Sequence, residues 1–138
     1  MHDVAPQQVG IYKGYAGEPL AHQIEAGADM FLMPSRYEPC GLNQMYSMRY
    51  GTVPIVRATG GLDDTVQQFD PRTGMGTGFK FGPYEAGALL EKIREALYFY
   101  ARPEEWLKIQ HTGMLVDNSW AAAAKKYIKL YPDLGSSV

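Results

Sequence analysis

Apolar residues occur first in short runs and then at helical spacing, and the change of rhythm falls near residue 84. Residues 9–13, 30–33 and 53–56 are short β-like runs, while 18–26 and a stretch opening near Gly41 and reaching Tyr50 have the mixed pattern of helices. That order is a βαβ rhythm, which predicts a parallel sheet. The runs at 30–33 and 53–56 are continuously apolar, as in strands covered on both faces. Pro54 has no ladder donor and belongs at a strand start or edge. The glycines and Asp70-Pro71 between Phe69 and Pro83 predict a loop. Within it, the alternation at 78–81 predicts the last strand.

From Tyr84 to about residue 134 three helical segments follow, which predicts a helical carboxyl-terminal cap. Leu89, Leu90, Ile93, Leu97 and Tyr100 recur at spacings of three and four and are expected on one buried face, with 97–100 and Trp106 in the core. Pro103 ends that helix and starts the next. Ser119 is the N-cap of a last helix carrying Trp120, Ala123, Tyr127 and Leu130, which Pro132 closes. The fold class is therefore α/β, with residues 1–138 as one domain and no repeats.

Composition narrows the function classes. The chain has 138 residues, 46% hydrophobic and 20% charged, which suits an ordinary packed core. Its net charge of −2 and scattered basic residues exclude the phosphate-neutralising surface of a nucleic-acid partner. No apolar run approaches the roughly 20 residues that span a bilayer. The single cysteine, Cys40, can form no internal disulfide, and the chain opens on polar residues without a signal-like stretch, so a cytoplasmic location is expected. His2, His22 and His111 lie far apart with no second ligand at metal spacing, and no metal is expected.

The chemistry concentrates between Asp29 and Val66, where strand, loop and helix repeat twice. Ligands of open parallel sheets bind outside the carboxyl ends of strands, where helix amino-termini present unpaired N–H groups. Two turns of small residues stand there. The first, at residues 34–43, is stiffened by Pro39, and Gly41 removes a side chain where helix and ligand would meet. The second is at 57–62. Taken alone, Glu38 reads as a solvated loop carboxylate, Gly60-Gly61 as a turn, and Cys40 as a small packing residue beside the site. His22 reads equally as a structural hydrogen-bonding group or a ligand contact.

The segments Pro34-Ser-Arg-Tyr-Glu-Pro-Cys-Gly-Leu-Asn-Gln44, Arg49-Tyr-Gly-Thr52 and Thr59-Gly-Gly-Leu62 closely resemble the signature of bacterial glycogen synthases and plant starch synthases. The resemblance extends through Gly14-Tyr15, Leu20-Ala-His22, Ala26-Gly-Ala-Asp29 and Ser119-Trp120, and so covers nearly the whole chain. It implies most of the carboxyl-terminal, Rossmann-like domain of a two-domain GT-B fold. The implied activity is transfer of glucose from ADP-glucose to α-1,4-glucan with retention, in the cytoplasm or, in a plant, the plastid. No cofactor is implied beyond the donor.

By position, Glu38 resembles the family's catalytic carboxylate, which binds the donor glucose hydroxyls near ring carbons three and four. Cys40, Gly41, Leu42 and Asn43 would offer backbone N–H groups to the glucose and distal phosphate, and Thr59, Gly60 and Gly61 would complete the site. Tyr15 resembles the tyrosine that stacks on adenine, although Ala16-Gly17 stands before Glu18 where the family has one residue. Tyr46, eight positions beyond Glu38, occupies the place of a second glutamate in many retaining relatives, as in bacterial glycogen synthases. The family's Lys-x-Gly-Gly motif and its diphosphate-gripping basic segment are absent from these 138 residues. The implied partners are therefore the donor, the glucan and the amino-terminal domain of the same enzyme. A chain lacking that domain is expected to be inactive and to self-associate through its last helix. The rival reading is a stand-alone, non-catalytic nucleotide-sugar- or glucan-binding module.

Overall fold

The structure is a computed structural model that describes residues 9–11, 13–129 and 131. Helix α1 (Gly17–Gly27) leads into strand β1 (Met30–Met33), α2 (Asn43–Tyr50) and β2 (Val53–Arg57). The short helix α3 (Gly61–Thr65) and strand β3 (Phe79–Phe81) follow, and then α4 (Ala86–Tyr100), α5 (Pro103–Met114) and α6 (Trp120–Ile128). The strands form one parallel sheet in the order β1-β2-β3, with Leu32 opposite Ile55 and Ile55 opposite Phe79. The βαβ rhythm thus yields the parallel sheet it predicts. The apolar run at 9–13 forms no strand at its described residues.

Because side chains alternate along β2, that one strand feeds two cores. Val53 and Ile55 join Phe69, Phe79, Ala96, Phe99, Trp106 and Ile109 on the side covered by α4 and α5. Val56 joins Leu62 and Val66 on the other side. The larger core is aromatic: Phe79 stacks on Phe99 and Trp106 at ring separations of 6.0 and 6.4 Å. Burying one such side chain contributes about 1.5–3 kcal/mol.

Pro54 is the second residue of the central strand, so it is not at a sheet edge. The start reading holds, because pairing with β3 begins only at Ile55. Val53 N–H donates to Asp29 on the β1 side, so the alternating ladder turns the position of Pro54 toward β3, ahead of the first β3 pair. Its missing donor breaks no bond.

β1 is not covered on both faces. It borders only β2 among the described strands, and Leu32 is 48% exposed. In α4, Ala96 and Phe99 are buried and Ile93 packs on the core, whereas Leu90, Leu97, Tyr98 and Tyr100 are exposed. The helix carries apolar residues around most of its circumference, and the small Ala96 selects the face that can approach the sheet. Pro103 opens α5, and Ser119 caps α6 by accepting from Ala122 N–H at 3.2 Å. No residue of α6 is buried. Leu130 and Pro132 lie outside the described residues.

Candidate functional site

The carboxyl ends of β1 and β2 each open into a turn that leads to a helix, and the two turns are bonded to each other. Gly61 N–H lies 3.1 Å from both the Glu38 and the Pro39 carbonyls. The side-chain amide nitrogen of Gln44 approaches the carbonyls of Cys40 at 3.2 Å and Gly41 at 2.9 Å, and the Thr65 hydroxyl at 3.0 Å. Thr65 in turn donates to the Gly61 carbonyl. Four successive carbonyls, 38 to 41, are therefore held from α2 and α3.

A trans peptide points its N–H opposite its C=O, and no described peptide is cis. Capture of the Pro39, Cys40 and Gly41 carbonyls thus turns the N–H groups of Cys40, Gly41 and Leu42 the other way. The Leu42 carbonyl accepts from Met45 and Tyr46 inside the first turn of α2, which aims Asn43 N–H out of the helix start. Among the described residues none of these four N–H groups donates a hydrogen bond. The result is a row of unpaired donors at the positive end of a helix dipole, an arrangement that receives anions.

The glycines explain how the two turns come so close. A Cβ on Gly60 would run into the carbonyl of Glu38, and one on Gly61 into that of Cys40. Gly60-Gly61 is thus the surface on which the first turn is built. Gly41 has φ +68°, and a Cβ there would lie 2.5 Å from Gln44 Oε1. The left-handed backbone and Gln44 both call for glycine here.

The remaining expected residues fall as follows. Glu38 is half-buried, and its carboxylate makes no hydrogen bond or ion pair among the described residues. The Cys40 thiol is exposed, not packed, because its carbonyl is the part turned inward. Thr59 is half-buried, and its carbonyl accepts from Leu62 N–H at 3.2 Å. Tyr15 stands 89% exposed ahead of α1. His22, on α1, faces α2, with its ring 5.1 Å from Tyr46 and its Nδ1 3.3 Å from the Tyr50 hydroxyl; the same Nδ1 lies 3.8 Å from Glu25. Among the described residues no three His, Cys, Asp or Glu side chains are grouped to hold a metal ion. No described helix is long and apolar enough to cross a membrane.

Sequence reasoning missed Gln44 and Thr65. The available signal was a glutamine in the first turn of a helix directly after the glycine turn, where a wholly buried amide needs backbone partners.

Comparison with known proteins settles the family. The pattern described as "Glycosyl transferases group 1" matches residues 11–108. The chain belongs to this family. A glycogen synthase of Koribacter versatilis is 61% identical over 112 residues, 81% of this chain and 23% of that protein. One of Thioalkalivibrio sulfidiphilus is 52% identical over 134 residues, 95% of this chain and 28% of that protein. Among solved structures, the catalytic domain of starch synthase IV from Arabidopsis thaliana, bound to ADP and acarbose, superposes with a TM-score of 0.76 at 38% identity. It is covered over 24% of its length by 86% of this chain. The chain thus spans about a quarter of the length of the group 1 relatives it matches.

Proposed function

We propose that this chain is the donor-binding part of a glucosyltransferase that moves glucose from ADP-glucose to the non-reducing end of α-1,4-glucan with retention. The observation that carries the reading is the row of unpaired N–H groups at Cys40, Gly41, Leu42 and Asn43, made by the capture of the carbonyls behind them. In this reading the distal phosphate of the donor rests on those N–H groups. The Glu38 carboxylate, free of other partners among the described residues, accepts from the glucose hydroxyls. The likeness to glycogen synthases and to an ADP-bound starch synthase supports this choice of donor.

As the bond from the sugar to phosphate breaks, negative charge grows on the phosphate. Donors already fixed in place stabilise that charge without reorganising. The glucan hydroxyl attacks the anomeric carbon from the same face, and its proton leaves with the departing phosphate. Holding a glucan for attack on that face requires a second wall facing this one, which the longer relatives have room to supply. The 138 residues alone therefore bind donor without making glucan.

The test is titration of the chain with ADP-glucose while backbone amide resonances are followed. Saturable shifts centred on 40–43 are expected, with no incorporation of glucose into glycogen. Shifts confined to other parts of the chain would overturn the placement of the donor.

A further inference from the structure

The last residue of the central strand reaches into the loops of both neighbouring strands. Arg57 Nε donates to the Gly82 carbonyl at 3.0 Å, and its Nη1 donates to the Arg36 carbonyl at 2.8 Å and lies 3.5 Å from that of Ser35. The guanidinium carbon is also 5.5 Å from the centre of the Tyr84 ring. Ser35 and Arg36 belong to the turn that carries Glu38, whereas Gly82 and Tyr84 belong to the β3–α4 loop. Among the described residues Arg57 has no carboxylate within ion-pair distance. Structural arginines usually pair with a carboxylate, but the partners here are neutral carbonyls on two separate loops. A planar fork of donors suits that task and an ammonium does not.

Resting on the donor-site reading above, we propose that Arg57 is a positioning residue for the sugar half of the donor site. It anchors the turn at residues 35–36 and so sets where the Glu38 carboxylate stands. The division of labour follows from the bonds. Gly61 and Gln44 hold carbonyls 38 to 41 and thereby aim the N–H row at 40–43. Arg57 holds the carbonyls that precede Glu38, and Tyr37 alone intervenes, 74% exposed and without support from the core. Without Arg57 the turn is tied only from the Glu38 carbonyl onward, so residues 35–37 gain freedom and the approach of the chain to the Glu38 side chain is no longer fixed. The phosphate donors keep their own anchors. Loss of Arg57 therefore separates recognition of the sugar from recognition of the nucleotide.

The experiment compares the 138-residue chain with Arg57→Lys and Arg57→Gln, in binding of ADP-glucose and, separately, of ADP. Lysine keeps the charge but cannot bridge both loops, and glutamine loses the charge as well. Both variants should lose about tenfold in ADP-glucose affinity, the equivalent of one lost charge-assisted hydrogen bond. ADP affinity should stay unchanged for Arg57→Lys. In the ligand-free variants backbone order parameters from nitrogen relaxation should fall at 36–37 and not at 40–43. Unchanged ADP-glucose affinity, or an equal loss for both ligands in Arg57→Lys, would overturn the proposal, since a general loosening weakens both. If the wild-type chain bound neither ligand, the donor reading would fall, and the order parameters at 36–37 alone would decide whether Arg57 anchors the turn.

Discussion

Gly61 N–H donates to the Glu38 carbonyl at 3.1 Å, so the residue that carries the candidate catalytic carboxylate is held by its main chain from the neighbouring turn. A methyl group at Gly61 would have to displace the Cys40 carbonyl, which is backbone and cannot rotate away. Gly61→Ala is expected to cost about 2–4 kcal/mol and to abolish ADP-glucose binding, because overpacking against backbone shifts the whole turn. Gly87→Ala is the control: a Cβ there meets nothing within 4 Å. Urea unfolding of both variants checks the prediction, and equal midpoints would refute it.

Glu38→Gln separates main chain from side chain. The carbonyl that accepts from Gly61 is untouched, and the carboxylate has no protein partner to lose among the described residues. Stability should be unchanged. ADP-glucose affinity should fall about tenfold, from weakened charge-assisted bonds to the sugar hydroxyls, with ADP affinity unaltered. Calorimetric titration of both ligands reads this directly, and wild-type affinity for ADP-glucose would place the sugar elsewhere.

Glu25 makes a pH prediction. Burial pushes its carboxyl above the ordinary glutamate range, and nearby His22 offsets this only in part. The folded chain therefore binds a proton more tightly there than the unfolded chain does. The stability this confers is fully present below the unfolded pKa and is lost as pH rises through the folded one. Glu25→Gln removes the charge from a site 3% exposed, and it should melt at a higher temperature than wild type at neutral pH. The advantage should shrink on acidification. A melting-temperature difference that stays constant from neutral pH down to pH values below the glutamate range would show that Glu25 does not titrate as argued.

The last helix predicts association. Trp120 is 91% exposed and no residue of α6 is buried, while a groove of about 710 Å³ between α2 and α6 is lined by Leu42, Met45, Tyr46, Met114 and Trp120. An apolar surface of this kind is normally covered. Sedimentation should detect self-association at high concentration, and Trp120→Ser should weaken it without lowering the melting temperature. A wild-type chain that stays monomeric throughout the concentration range would contradict this.

What could be read from the sequence divides along physical lines. Strand, turn and helix order followed from local spacing and from residues with one conformational meaning, such as Pro103 and Ser119. For Gly41 the structure adds a local requirement that spacing could not show, because its contact with Gln44 exists only once the turn has closed. Leu32 and the apolar face of α4 were misplaced because periodicity reports that a residue is apolar, not whether a neighbour covers it. The anchoring role of Arg57 was illegible, since it acts on main-chain carbonyls, and every residue presents the same carbonyl to a side-chain donor.

The backbone contacts between the two turns also bear on how this region can be inherited or engineered. Residues 38–41 rest on Gly60, Gly61 and Thr65 through Gln44, so neither turn keeps its shape in the absence of the other. Grafting the first turn alone into a distant relative would leave its carbonyls without the donors that hold them, however faithful the transplanted letters. The smallest portable unit is the continuous stretch from Pro34 to Thr65, and recombination points inside it should be selected against.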